Sequence, residues 1–265
     1  MNRLAAIYLP LFFLFAGLCF QQSHAQSAAA ENCIAEWMKQ SKVVGLSVAV
    51  VKNNQLIYTH SFGYKDLETN TPLTDSSLFR IASISKSFTA TSLLQLVKAG
   101  KLSLHDDVSD LVGFQVRNPR YPDTRITLRM ILSHRSSIND SQGYFTLDAI
   151  NPGKNPNWAK CYNQYAPDSG YMYCNLNFNL AGAILEKYSG ERFDQYVKHH
   201  ILDPLGLYGG YCVDSLDRSR FATIYEYKAD SDKFIPSPGA YAPAAKRSPT
   251  IPGDTVPLYF HQPAV

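Results

Sequence analysis

Between Leu46 and Lys98 the hydrophobic period of this chain changes from two residues to 3.6, and that change limits what the region can fold into. Leu46 to Val51 is apolar and rich in β-branched residues, and Lys52-Asn53-Asn54 reads as a turn. Leu56, Tyr58, His60, Phe62 and Tyr64 then alternate with Ile57, Thr59, Ser61 and Gly63, which is the pattern of a strand. A helix is predicted from Ser83, or just before it, to Lys98, with Gly100 as its C-terminal stop. Ile84, Phe88, Leu93, Leu94, Leu96 and Val97 make that helix apolar on most sides, so a central, buried position is expected. The region reads as a β-hairpin running into a core helix, an α+β arrangement.

A helix from Glu31 to Lys42, carrying Ile34, Trp37 and Met38, is expected before the hairpin. After it, roughly residues 100–210 read as a mostly helical subdomain. Short helices are predicted at Thr127–Ser133 and Arg192–His200, and a longer one at Asn177–Tyr188. Phe221–Tyr227 and Phe234-Ile235 suggest a small hairpin, and the stretch from Pro236 onward is proline-rich loop. A lone two-stranded hairpin is marginal in water. No strong strand candidate follows it here, so Leu46, Val48, Val50 and Ile57 are expected to be partly exposed and the chain to be prone to aggregation.

Residues 1–25 have the form of a secretory signal peptide. Arg3 precedes an apolar run from Leu4 to Phe20, and Ser23-His24-Ala25 fits cleavage before Gln26. Pro10 argues against reading the run as a retained membrane anchor, and Leu18 is too bulky for a lipid-modified Cys19. The expected location is periplasmic or secreted, with the mature domain spanning 26–265 and no stable membrane span after cleavage. Export permits disulfides. Cys33, Cys161, Cys174 and Cys212 allow three pairings, and buried thiols with at most one bridge read equally well. No metal-ligand spacing occurs. The net charge of +3 is small and scattered, which argues against a nucleic-acid partner.

Ser83-Ile84-Ser85-Lys86 is the only Ser-x-x-Lys in the chain, and Tyr173-Cys174-Asn175 the only Tyr-x-Asn. Three residues apart on a helix, Ser83 and Lys86 share a face with Cβ atoms about 5–6 Å apart. A serine hydroxyl needs a base to become a nucleophile. A lysine serves as that base only when neutral, a state that burial and a helix N-terminus favour. The helix start also offers N–H groups to a developing oxyanion. Alone, a Ser-x-x-Lys is expected by chance about once in a chain of this size, and a solvated lysine beside a helix-start serine would explain it. What raises it is the position, at the start of an apolar helix straight after a hairpin.

Phe79 to Ala90 resembles the nucleophile motif of the serine β-lactamase and penicillin-binding protein superfamily, closest to class C β-lactamases and their esterase and D-amino-peptidase relatives. Tyr173-Cys174-Asn175 with the following Leu176–Glu186 is similar to that family's Tyr-x-Asn loop and helix. Ile126–His134 and Asp203-Pro204-Leu205-Gly206-Leu207 resemble two further blocks. The likeness runs from about residue 31 to about 240. It implies a β-lactamase/transpeptidase-like fold, an antiparallel sheet flanked by helices with a helical second subdomain. It implies Ser83 as acylated nucleophile, Lys86 as general base, Tyr173 as proton shuttle to the leaving group, and Asn175 as a hydrogen-bonding residue toward substrate and Lys86. No cofactor is implied. His134 reads as structural, and Cys174 is expected to point away from the pocket. The family usually has Ser-Gly where this chain has Ser136-Ser137, and a positive φ there would strain Ser137.

The family's third motif, Lys-Thr/Ser-Gly or His-x-Gly on a late strand, has no counterpart here. Lys98-Ala99-Gly100 closes a helix, and no histidine has glycine two places on. The chain therefore reads as the N-terminal portion of such an enzyme, with the C-terminal strands and helix missing, and is expected to be inactive toward simple esters. Two functions follow from this. One is a serine hydrolase cleaving amide or ester bonds of a small molecule or peptide through an acyl-enzyme on Ser83, as esterase, D-amino-acid peptidase or carboxypeptidase, or β-lactamase. The other is a non-catalytic truncated remnant or binding protein with the same fold.

Overall fold

The computed structural model describes residues 28–237 and Tyr241. The signal-peptide reading and most of the proline-rich tail lie outside those residues. Among these residues two units are distinguishable, one containing 28–78 together with 220–237, the other containing 79–219 and Tyr241.

In the first unit, helix α1 (28–40) precedes strands β1 (Gly45–Lys52) and β2 (Gln55–Asp66), which pair antiparallel. Asn53 and Asn54 make the turn with φ of 51° and 59°. Both central residues in the left-handed region is what a two-residue hairpin turn needs to match strand twist, and Asn tolerates it better than other side chains. At the other end Gly45 opposes Gly63. A Cβ on Gly63, whose φ is +74°, would lie 2.2 Å from the Val44 carbonyl oxygen, so no side chain fits that close approach. A short third strand, β3 (Thr71–Pro72), pairs with β2 and gives the order β1-β2-β3. This strand corrects the expectation of a lone hairpin. Two residues including a proline carry no alternating pattern, and Pro72 is tolerated because the strand sits at an edge. The chain returns to this unit at Arg220: the Leu78 N–H donates to the Arg220 carbonyl, the Ala222 N–H donates to the Leu78 carbonyl, and β4 (Tyr225–Lys228) pairs with β5 (Lys233–Pro236). Val50, Val51, Leu56 and Ile57 remain exposed on the hairpin.

The second unit is built on α5 (Asn175–Ser189), in which every residue from Leu176 to Glu186 is buried. Around it pack α2 (Ser85–Lys98), α3 (Val108–Val112), α4 (Leu128–Leu132) and α6 (Phe193–Val197). The short helices are defined by their caps. Asp107 accepts from Ser109 N at 2.9 Å and Thr127 from Met130 N, while Gly113 and Gly190 close α3 and α5 in the left-handed conformation. A π-helical turn, Lys198–Leu202, follows α6. Helix α2 departs from the all-round burial read from its composition. Lys86, Thr89, Ser92, Leu93 and Leu96 form its one buried face, and Ile84 and Leu94 stand exposed. The buried set follows the 3.6-residue period, which the extra apolar residues on the other face had obscured.

Candidate active site

Ser83 does not lie in α2 itself. It is the middle residue of a 3-10 turn, Ala82–Ile84, that leads into the helix, and its side chain is exposed. Ala82 has φ of +44°, a left-handed conformation that costs a non-glycine residue about 1–2 kcal/mol, so the turn is held by its surroundings. One such hold is Tyr211, whose hydroxyl donates to the Ser85 carbonyl at 2.6 Å. Burial pushes that phenol well above its ordinary range, which keeps it protonated as a donor.

Lys86, one turn on, is buried at 6% exposure, and its Nζ meets three oxygens. These are the Tyr173 hydroxyl at 2.6 Å, Asn175 Oδ1 at 2.9 Å and Ser83 Oγ at 3.3 Å. Tyr173 also donates to Ser83 Oγ at 2.5 Å. Ser83, Lys86 and Tyr173 thus close a triangle of hydrogen bonds, with Asn175 beside it. All four residues expected from sequence stand together, although Tyr173 is 87 residues from Lys86 along the chain. Lys86 Nζ also lies 4.7 Å from the Tyr173 ring centroid and 5.5 Å from that of Phe178, so the aromatic faces help hold the amino group.

His134 stays behind the site. Its ring packs against Tyr173 at 4.6 Å between centroids, and Nδ1 accepts from the Cys174 N–H at 3.2 Å. Burial lowers its pKa below the ordinary histidine value, and the Lys86 charge acts the same way against an opposing pull from Asp140. It is a neutral acceptor orienting the backbone between Tyr173 and Asn175. His134 and Ser137 have φ of 57° and 61°, so the glycine usual at the second position would fit the backbone that Ser137 adopts here. Ser137 Oγ instead accepts from Asn118 Nδ2 at 3.0 Å.

One residue of the site was not found from sequence. Asp140 accepts from Asn175 N, Asn175 Nδ2 and Leu176 N at 2.8, 3.0 and 3.0 Å, and from Cys174 Sγ at 3.1 Å. A signal existed. Cysteine is a poor helix N-cap, so a helix starting after Cys174 needs an acceptor from elsewhere in the chain. Cys33, Cys161, Cys174 and Cys212 are all free thiols. Burial raises the Cys174 thiol far above its usual range, with the Asp140 charge adding to it, and burial pushes Cys161 up to about 11, so neither behaves as a thiolate. Among the described residues no group of three or more His, Cys, Asp or Glu side chains is arranged to hold a metal ion.

The family and the fold are identified by comparison with known proteins. The Beta-lactamase family model matches residues 30–254. Penicillin-binding protein 4* of Bacillus subtilis is 30% identical over 172 residues, which cover 61% of this chain and 36% of that protein. The octameric penicillin-binding protein homologue from Pyrococcus abyssi superposes with a TM-score of 0.68 at 29% identity, covering 80% of this chain and 50% of that one. The D-amino acid amidase from Ochrobactrum anthropi SV3, complexed with D-phenylalanine, gives 0.57 at 27% identity, covering 71% and 53%. The chain spans about a third to a half of the length of these relatives. With its α+β, transpeptidase-like fold, the chain belongs to the Beta-lactamase family, whose members include serine hydrolases.

Proposed function

We propose that this chain carries the acylating centre of a serine hydrolase that cleaves amide or ester bonds of a small molecule or peptide. The supporting observation is the closed hydrogen-bond triangle of Ser83, Tyr173 and Lys86. The shortest route for the serine proton runs through the phenol, 2.5 Å from Ser83 Oγ to Tyr173 and 2.6 Å onward to Lys86. The relay runs once Lys86 has released a proton to solvent and the Tyr173 hydroxyl has turned from Ser83 toward Lys86; as Ser83 Oγ bonds to the substrate carbonyl carbon, Tyr173 passes its proton to Lys86 and takes the serine's. Collapse of the tetrahedral intermediate breaks the C–N or C–O bond. The leaving group takes the proton back from Tyr173, and an acyl ester remains on Ser83. Water then attacks that ester, gives its proton to the same relay, and Ser83 recovers a proton as the acid departs. Asn175 Oδ1 keeps Lys86 in place.

Esterase or peptidase chemistry ranks above lactam hydrolysis in this reading, because nothing among the site residues specifies a lactam. The residue 1–25 segment supports a periplasmic or secreted location. No helix among the described residues is long and apolar enough to cross a membrane.

The test reads acylation, which uses only these groups. A fluorophosphonate probe should label Ser83 in wild-type protein, mapped by peptide mass spectrometry, and leave Ser83→Ala unlabelled. Tyr173→Phe should slow labelling by about 10²–10⁴, the range for general acid–base groups. A cooperatively folded wild type that resists the probe would overturn the reading in favour of a binding protein on the same fold.

A further inference from the structure

We infer that Asp140 is the positioning residue of this site, a single carboxylate that fixes both the start of α5 and the way round that Asn175 presents its amide to Lys86. The inference rests on the catalytic reading of Ser83, Lys86 and Tyr173 for its kinetic consequence, though not for its geometry. Helix α5 begins without a side-chain cap of its own, since Cys174 supplies none. The first backbone N–H groups of a helix have no partner within it. Asp140, 35 residues upstream of Asn175, accepts Asn175 N on Oδ2 and Leu176 N on Oδ1. The remaining acceptor sites of the same two oxygens take Asn175 Nδ2 and Cys174 Sγ. Four donors thus fill the roughly four lone-pair sites of one carboxylate.

The amide of Asn175 has one donor end and one accepting end. Asp140 can only accept when ionised, so Nδ2 must face it, and Oδ1 is left toward Lys86 Nζ at 2.9 Å. Turned the other way, the amide would set its N–H groups against the lysine and its oxygen against a carboxylate. The charge also sits at the positive end of the α5 dipole, where an anion is favoured. The loop bearing Asp140 is itself anchored, with Ser136 Oγ donating to Asn177 Oδ1 at 2.8 Å and Asn139 N to the Cys161 carbonyl at 2.7 Å. An asparagine at position 140 offers one accepting oxygen and would turn its own N–H groups toward donors.

The experiment compares fluorophosphonate labelling rates of Ser83 in wild type, Asp140→Asn, Asn175→Ala and the double variant, together with crystal structures of the wild type and Asp140→Asn. Asp140→Asn should slow labelling by about 10²-fold, the cost of a misplaced catalytic group. In the Asn175→Ala background it should slow labelling by less than about threefold, because the side chain it positions is already gone. In the variant crystal the Asn175 amide should have turned, with Oδ1 out of hydrogen-bond reach of Lys86. An equal loss in both backgrounds, or an Asn175 that keeps its contact with Lys86, would overturn the inference and leave Asp140 a helix cap only. If wild-type Ser83 does not label, the catalytic reading fails, and the orientation of Asn175 in the crystals still decides the role of Asp140. Should Asp140→Asn not fold, Asp140→Ser can still cap the helix through its hydroxyl but cannot also hold the amide, and it carries the same comparison.

Discussion

The two units of this chain hold their apolar side chains in different ways. In residues 79–219, Leu93, Ile126, Leu128, Ile131, Ile138, Leu176, Leu180 and Ile184 are wholly buried around α5. In residues 28–78 with 220–237, the buried apolar side chains are Met38, Leu73 and Ala222, while Val51, Leu56 and Ile57 are 56–64% exposed. Packing holds the first region; backbone pairing and turn geometry hold the second. The difference matters for function because Ser83, Lys86, His134, Asp140, Tyr173 and Asn175 all belong to the packed region. Lys86 and His134 are buried in it, so close packing fixes the back of the site while Ser83 and Tyr173 face outward.

Truncating an aliphatic side chain in each region, buried Ile184 and exposed Leu56, gives the largest expected contrast. Ile184→Ala in α5 should destabilise by about 2–5 kcal/mol and lower the thermal midpoint. Leu56→Ala in β2 should change stability by no more than about 0.5 kcal/mol, as for an ordinary surface position. Equal losses in thermal melts would break the comparison.

A smaller, pH-dependent effect should be confined to the packed region. His134 has its pKa lowered by burial from the ordinary 6.5, with the Lys86 charge acting in the same direction. A depressed folded pKa means that the unfolded chain binds the proton more readily. The stability His134 contributes is therefore fully present above about pH 6.5 and is lost progressively as pH falls toward its lower folded value. Protonation would also turn Nδ1 from acceptor into donor against the Cys174 N–H. Denaturant melts between pH 7.5 and about 5 should show this decline, and His134→Gln, which keeps a neutral acceptor, should flatten it. A decline of the same size in His134→Gln would assign it elsewhere.

The smallest effects concern backbone strain. Ser137→Gly should stabilise by about 0.5–1 kcal/mol, since glycine adopts the positive φ without penalty. Asn118 Nδ2 would keep its bonds to the Asn163 and Tyr165 carbonyls. Asn54→Gly in the β1–β2 turn should gain only a few tenths of a kcal/mol, because asparagine already tolerates that conformation. A larger gain in the turn than in the loop would reverse the ranking of the two regions.

Much of this molecule was legible as local pattern. The hairpin followed from alternation between Leu46 and Tyr64, and α2 from its apolar period and Gly100. The proximity of Ser83 and Lys86 followed from their three-residue spacing. Tyr173 and Asn175 were legible only through resemblance to a family, since no spacing rule ties residue 173 to residue 83. Strand β3 was hidden because two residues carry no period, and Asp140 because its partners lie 34–36 residues further along the chain.

The sequence by itself determined which side chains could carry the chemistry and which elements would present them, because helical and strand periods depend on near neighbours. Tertiary structure alone decided that Tyr173 and Asn175 meet Lys86, that a distant aspartate caps α5, and that Tyr211 steadies the turn bearing Ser83. Those contacts depend on how buried helices pack and on where unpaired N–H groups at a helix start find an acceptor. Neither is written in any short stretch of residues.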